Sequence, residues 1–277
     1  MDRKGIILAG GLGTRLFPIT KVVSKQLMPI YNRPMIYYPL CTLMKANIRE
    51  ILIITTPQDN KLFSKLLGDG RHWGIEIKYE IQEFPEGIAQ SLIIAEKFLN
   101  NSPSALILGD NIFYGKTFDQ IILEESKNYD VSTIFTYKVK NPERYGVVDF
   151  NEKNKIISID EKPKFPKSKY IVTGLYFYDN NASYYAKNLK PSKRGEIEIT
   201  DLNNKYINEV NLKSVNLDKE THWFDSGTFE SLYEVNNFIY NKSKLEKIKI
   251  ACPEEISYKM GWINKEKFDF LTKENNS

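Results

Sequence analysis

Histidine and cysteine are scarce, with two of each in 277 residues. Cys41 and Cys252 stand alone, with no Cys-x-x-Cys spacing and no histidine beside them. A disulfide framework is thereby excluded, and both are expected to be buried free thiols in a reducing cytoplasm. His72 and His222 belong to no motif and read as structural or surface residues. Long apolar runs are missing too. Nothing approaches the roughly 20 apolar residues of a membrane span, and the first run, Gly5–Ala9, is too short for a signal-peptide core. No block of five or six like charges occurs, and the net charge is only +4, so neither a nucleic-acid nor a membrane partner is expected. No internal repeat or low-complexity segment is present. What remains is 42% apolar and 27% charged, proportions that exclude disorder, collagen-like repeats and coiled coil. A chain this long buries about three-quarters of its unfolded surface, enough for a large core.

The first half alternates short apolar runs with amphipathic stretches. Strands are expected at Gly5–Leu8, Ile51–Thr55, Ile75–Ile81, Ala105–Leu108 and Val131–Tyr137. Helices are expected at Pro34–Ala46, Asn60–Leu67, Ile88–Leu99 and Phe118–Ser126, the first kinked or interrupted by Pro39. This pattern predicts an α/β fold with a mostly parallel sheet covered on both faces. Past Asn141 short strands follow one another, Gly146–Phe150, Ile156–Asp160 and Tyr170–Tyr178, before helical pattern returns at Ile199–Val210 and Phe229–Tyr240. These read as antiparallel additions packed against the first sheet, within a single domain of residues 1–277. Thr272–Ser277 is polar and expected to fray.

Chemistry concentrates after the first strand, in Leu8-Ala9-Gly10-Gly11-Leu12-Gly13-Thr14-Arg15-Leu16. Glycines at a strand's C-terminal end let backbone N–H groups approach phosphate oxygens. The pattern lacks the Gly-Lys-Ser/Thr of a Walker loop, and Leu16 stands where a dinucleotide fingerprint needs its third glycine. Arg15 and Lys25 bracket the loop with a planar fork and a mobile point charge, both suited to a triphosphate.

Glycine loop, Arg15 and Lys25, with Pro18-Ile19-Thr20 and Ser24-Lys25-Gln26-Leu27-Met28-Pro29, resemble the sugar-nucleotidyltransferase signature. The likeness to glucose-1-phosphate thymidylyltransferases continues through Gln82-Glu83-Phe84-Pro85-Glu86-Gly87-Ile88-Ala89-Gln90, Leu108-Gly109-Asp110-Asn111, Tyr145-Gly146-Val147-Val148 and Glu161-Lys162-Pro163. Thr173–Asp179, Arg194-Gly195-Glu196 with Glu198-Ile199-Thr200-Asp201, and Trp223–Thr228 complete it, so it spans roughly residues 3 to 263. It implies a Rossmann-like core, with residues 1–140 binding nucleotide, 141–240 binding sugar phosphate, and 241–277 a C-terminal extension. It also implies a homotetramer. Long-form relatives carry a further C-terminal helix after the counterpart of Gly261-Trp262-Ile263, in a region the family uses for a regulatory nucleotide site and subunit contacts.

Residue by residue, the resemblance assigns Leu8, Gly10, Gly13, Thr14, Arg15, Lys25, Gln26 and Asn111 to the nucleotide and its phosphates. Gln82, Pro85 and Gly87 become base readers. Gly146, Glu161, Lys162, Val172 and Arg194 form the sugar-phosphate pocket, with Arg15, Lys25 and Lys162 catalytic. Asp110 and Asp225 become ligands of Mg²⁺. Taken singly, Gln82 is an ordinary strand-end polar residue, Glu161-Lys162-Pro163 a solvated turn, and Asp110-Asn111 or Asp225-Ser226-Gly227 a plain turn sequence.

The implied reaction joins dTTP and α-D-glucose 1-phosphate into dTDP-glucose and diphosphate. Its nucleophile is already anionic at neutral pH, so no general base is required, which suits motifs holding Arg, Lys and Asp but no His or Cys. Two alternatives stay open. One is a uridylyltransferase, since thymine and uracil differ by a single methyl. The other is a non-catalytic nucleotide-sugar sensor, from which at least one of these charged residues would have been lost.

Overall fold

A computed structural model describes residues 2–274. Its strands are β1 (Lys4–Ala9), β2 (Pro29–Ile30), β3 (Arg33–Pro34), β4 (Glu50–Thr55), β5 (Glu76–Ile81), β6 (Ser104–Leu108) and β7 (Asn111–Tyr114). Then come β8 (Ser132–Lys138), β9 (Gly146–Phe150), β10 (Ile156–Glu161), β11 (Tyr170–Tyr178), β12 (Leu212–Asn216) and β13 (His222–Asp225). The helices are α1 (Tyr37–Lys45), α2 (Asn60–Leu67), α3 (Gln90–Ile94), α4 (Glu96–Leu99), α5 (Lys116–Glu125), α6 (Ala182–Lys187), α7 (Ile199–Glu209), α8 (Phe229–Glu246), α9 (Pro253–Lys259) and α10 (Lys265–Glu274).

One nine-stranded sheet organises the molecule, in the order β10-β9-β11-β6-β1-β4-β5, with β8 on β11 and β12 on β8. At its centre β1 runs parallel to both β4 and β6, with Ile7 opposite Ile53 and Ile107. Side chains alternate across the pleat. Ile7, Ile53 and Ile107 therefore pack with residues of α1, α2, α5 and α10 on one face. Ile6, Leu52, Ile54 and Leu106 pack with α3, α4, α6 and α7 on the other. Burial on both faces is why these strands read as unbroken apolar runs. A smaller cluster, Ile30, Met35, Tyr38, Ile112, Val235 and Ile239, seats α8 against the β2–α1 region.

The second half does not form a separate layer. Antiparallel β11 pairs with β6 through Leu175–Tyr178 and with β8 along its length, so the added strands extend the same sheet edge to edge. Pro39 neither kinks nor interrupts its helix. It is the third residue of α1, inside the first turn, where a missing N–H has no intrahelical acceptor to lose. The expected start at Pro34 was early, because Arg33–Pro34 pairs with Pro29–Ile30 as a short ribbon. Ile88–Leu99 is two short helices meeting at Ala95. Instead of fraying, Thr272 and its neighbours stay helical, the Thr272 hydroxyl donating to Phe268 O at 3.0 Å; residues 275–277 lie outside the described residues. Since α10 follows Ile263 directly, the chain does carry a further helix there. Both cysteines are buried free thiols, as expected.

Candidate active site

The carboxyl ends of β1, β4, β5 and β6 meet along one edge, where open α/β sheets place their ligands. Backbone bonds tie the ends together: Gly109 N donates to Leu8 O at 2.9 Å and Gln82 N to Thr55 O at 2.8 Å. From β1 the chain enters the glycine loop. Gly13 has φ +62, and a Cβ there would lie 3.0 Å from Thr20, whose hydroxyl donates to Gly13 O at 2.7 Å. Fully buried Leu16 pins the loop, leaving Thr14 and Arg15 exposed.

Lys25 and Gln26 lie beneath that loop and are buried. Gln26 Oε1 accepts from the Ser24 hydroxyl at 2.8 Å. Lys25 Nζ forms a close ion pair with Asp110 Oδ2, the two side chains being only 9% and 13% exposed. Asp110 follows β6, and antiparallel pairing of β7 with β13 sets Asp225 opposite Asn111. Ser226 N donates to Asp110 O at 3.1 Å, closing the junction. Arg15 reaches the same place. Its guanidinium lies where a Cβ on Gly227 would be, against the backbone of the Asp225 turn.

The two carboxylates shift in opposite directions. Burial works against charge on Asp110, but the Lys25 ammonium and hydrogen bonds from Lys25 and Asn111 hold its carboxyl below the usual range. Burial and the neighbouring Asp110 charge push Asp225 up, against the pull of Arg15, Lys25 and Arg144. Asn111 is the clamp between the strands. Its Oδ1 accepts from Gly174 N at 3.0 Å and Trp223 Nε1 at 2.7 Å, while its Nδ2 donates to Asp110 Oδ1 at 3.1 Å. A Cβ on Gly174 would come within 2.6 Å of Asn111, so that contact requires glycine.

The residues expected to hold a sugar phosphate form a second group. Glu161 ends β10 opposite Gly146 and accepts from the Thr200 hydroxyl at 2.5 Å. Lys162, in the left-handed region at φ +45, places Nζ 3.4 Å from Glu161. Arg194 grips Glu198 with two bonds of 2.8 and 2.9 Å and stands 3.6 Å from Glu161. Val172 is buried on β11 beside these strands. Burial pushes the phenol of Tyr176 well up, and the charges of Glu161 and Asp110 add to it.

Gln82 is buried just past β5. Its Nε2 donates to Gln90 Oε1 at 2.5 Å and toward Gly87 O at 3.4 Å. Its Oε1 occupies the place a Cβ on Gly10 would take. Gly87, at φ +109, lies against the Ile197 backbone, where a side chain would clash. Pro85 sits exposed in the turn between them.

Sequence reasoning missed several neighbours. Tyr145 stacks edge-on against Trp223 at 5.5 Å and feels Asp225, Arg144, Arg15 and Asp110. Tyr145 opens the Gly146 motif with Arg144 just before it, and Trp223 lies within the Asp225 motif, so adjacency was the available signal. Gln90 and Thr200 lie within the motif segments ending at Gln90 and spanning Glu198–Asp201, but their bonds to Gln82 and Glu161 needed the fold.

Among the described residues no three His, Cys, Asp or Glu gather to hold a metal. Asp110 and Asp225 still suit Mg²⁺. They are two hard oxygen donors near Arg15 of the glycine loop, and this ion normally takes one or two carboxylates plus substrate phosphates and water. A separate cavity of about 900 Å³, lined by Tyr38, Cys41, Tyr114, His222, Lys242 and Cys252 among others, contains none of these site residues.

Residues 4–242 match the nucleotidyl transferase family. A glucose-1-phosphate thymidylyltransferase of Neisseria meningitidis is 53% identical over 270 residues, covering 98% of this chain and 94% of its own. One of Mycobacterium tuberculosis is 48% identical over 95% of this chain and 91% of its own. A crystal structure of a proposed glucose-1-phosphate thymidylyltransferase from Bacillus anthracis, in complex with a sucrose, superposes with TM-score 0.80 at 40% identity. It covers 91% of this chain and 98% of its own. A UDP-glucose pyrophosphorylase complexed with UDP-glucose gives TM-score 0.77 at 25% identity, covering 87% and 100%.

Proposed function

The chain belongs to the nucleotidyl transferase family, and we propose that it converts dTTP and α-D-glucose 1-phosphate into dTDP-glucose and diphosphate. The observation that carries the mechanism is the convergence of Arg15, Lys25, Asp110 and Asp225 beside the glycine loop. A phosphate oxygen of glucose 1-phosphate attacks the α-phosphorus of dTTP in line; the new P–O bond forms as the bond to the β-phosphate oxygen breaks, and diphosphate leaves. The attacking oxygen is already anionic, so positioning and charge neutralisation supply the catalysis.

Residues within 1–140 hold the nucleotide. Leu8, Gly10, Gly13 and Thr14 line its phosphates, with Arg15, Lys25, Gln26 and Asn111. Gln82, Pro85 and Gly87 face its base. Within 141–240, Glu161 takes sugar hydroxyls while Lys162 and Arg194 take the incoming phosphate, beside Gly146 and Val172. Asp110 and Asp225 would hold Mg²⁺. When bound, that ion withdraws charge from the α-phosphate.

Formation of dTDP-glucose and diphosphate by the purified protein, dependent on both substrates and on Mg²⁺, tests this reading; no product with either sugar phosphate or dTTP supplied in excess defeats it. The pyrophosphorylase likeness motivates a second reading with UTP, because one methyl is worth only about 1–3 kcal/mol in a pocket. Rates with dTTP and UTP side by side separate the two. A cytoplasmic homotetramer completes the proposal. Light scattering measures the oligomeric state.

A further inference from the structure

We propose that Gln90, held by Glu86, fixes the polarity of the Gln82 amide and thereby makes the enzyme reject nucleotides whose base carries a hydrogen-bond acceptor at N3. The inference rests on the proposed placement of the base against Gln82.

The argument begins at Glu86. An ionised carboxylate only accepts hydrogen bonds, whereas a glutamine amide offers both a donor end and an acceptor end. Glu86 Oε2 takes Gln90 Nε2 at 2.6 Å, so the Gln90 carbonyl must face the other way. That Oε1 accepts from Gln82 Nε2 at 2.5 Å and from the Glu86 N–H at 3.3 Å. Gln82 must then present its own NH₂ toward Gln90 and toward Gly87 O, which leaves Oε1 over Gly10. Among the described residues no donor reaches that oxygen. Turning the Gln82 amide would set its oxygen against two acceptors, Gln90 Oε1 and Gly87 O. One charge on the outer turn therefore sets the direction of two amides and one recognition atom.

The relay is also held in space. Ile197 N donates to Glu86 O at 2.7 Å and Ala89 N to Ile197 O at 3.2 Å, so the backbone on both sides of Gly87 is fixed to a neighbouring segment. A bare carbonyl oxygen at the base site suits a partner bearing N–H. Thymine and uracil carry N3–H; cytosine carries a lone pair there and meets repulsion. Gln90 and Glu86 are positioning residues in this scheme, since neither needs to touch the nucleotide.

The test measures kcat/KM for dTTP and for dCTP, with glucose 1-phosphate and Mg²⁺, in the wild type, Glu86→Gln, Gln90→Leu and the double variant Glu86→Gln with Gln90→Glu. The wild type is expected to favour dTTP. In each single variant the Gln82 amide can turn, and the dTTP-to-dCTP ratio is expected to fall about tenfold, the scale of one hydrogen bond. The KM for glucose 1-phosphate is expected to stay within twofold of wild type. The double variant places an acceptor-only carboxylate directly beside Gln82 and is expected to restore the ratio, which a merely structural role would not predict. Equilibrium binding of dTTP and dCTP to Glu86→Gln, an exposed position, gives the same comparison without turnover. An unchanged ratio in Gln90→Leu, a double variant as unselective as the singles, or a wild type indifferent between dTTP and dCTP overturns the inference. A wild type inactive with both nucleotides and glucose 1-phosphate overturns the proposed function instead.

Discussion

Lys25→Met is the most informative single substitution, because it separates the electrostatic design of the site from its chemistry. The Lys25 and Asp110 side chains are 9% and 13% exposed, and Asp225 stands beside them, raised by burial and by Asp110. Removing one partner of a buried pair leaves an uncompensated charge, at a cost of about 3–5 kcal/mol. The residual exposure argues for the lower end, about 3 kcal/mol, which for a chain of this length lowers Tm by roughly 6 °C. The pH dependence identifies the cause. In the wild type, Lys25 outweighs burial and keeps the folded-state pKa of Asp110 lowered. That carboxylate contributes stability above its unfolded pKa of about 4, and the contribution is lost as pH falls through the lowered folded value. In the variant, burial and Asp225 are opposed only by the hydrogen bonds from Asn111 and the backbone, and the Asp110 pKa rises. Ionising it then costs stability as pH rises, so the deficit relative to wild type is expected to grow across the series from pH 5 to 8. Urea unfolding at several pH values measures this, and adding Asp110→Asn to Lys25→Met is expected to recover most of the loss. A deficit below about 1 kcal/mol at pH 7, or one that is flat with pH, would refute the account of Lys25 as the neutralising partner.

Gln82→Ala is expected to raise the KM for dTTP about tenfold, the worth of a buried hydrogen bond, and that for glucose 1-phosphate far less; equal effects would remove Gln82 from base recognition. Lys162→Ala is expected to raise the KM for glucose 1-phosphate and lower kcat/KM with it, whereas Arg15→Ala acts mainly on kcat, and steady-state kinetics with each substrate varied tells them apart. EDTA is expected to abolish turnover and Mg²⁺ to restore it. Asp110→Asn and Asp225→Asn should each cost at least about a hundredfold in kcat, without adding in the double variant; full activity of Asp225→Asn, or of wild type in EDTA, would leave both as turn residues.

The central strands were legible because burial on both faces forces unbroken apolar sequence, as in Ile6-Ile7-Leu8 and Ile51–Ile54. The glycine loop was legible because its signal is local. Strands β7 and β13 were not anticipated as a pair. Each is four residues long, and β13 is only half-buried, so neither hydropathy nor alternation marks them. Yet that ribbon is what brings Asp225 alongside Asp110, whose meeting was anticipated by the family resemblance together with the rule that ligands gather at strand carboxyl ends. The role of Lys25 was half legible. A cation near a phosphate loop is readable from spacing, but its pairing with Asp110 depends on a tertiary contact across the crevice. Gln90 opens α3 while Glu86 lies in the loop before it, so no helical spacing marks the pair, and its consequence for Gln82 needed the fold.

Two buried carboxylates side by side are costly in any stable protein, and the surroundings show how the cost is met before substrate arrives. Lys25 neutralises Asp110, while Arg15 and Arg144 draw Asp225 toward its charged form. Asn111 holds the geometry, because its oxygen is committed to Gly174 and Trp223, leaving its NH₂ for Asp110. These cations cannot serve the carboxylates and a triphosphate with full strength at once. On the proposed placement of the phosphates, nucleotide binding draws Lys25 and Arg15 from the aspartates, which leaves the pair more negative and more attractive to a divalent ion when phosphate oxygens are present to complete its shell. Substrate and metal binding are therefore expected to be mutually reinforcing, with metal affinity of the free protein weak. Calorimetric titration of Mg²⁺ into Lys25→Met checks this coupling directly. With the competing ammonium removed, the variant is expected to bind Mg²⁺ more tightly than wild type in the absence of nucleotide. Weaker or unchanged binding would show that Lys25 does not compete with the ion for Asp110.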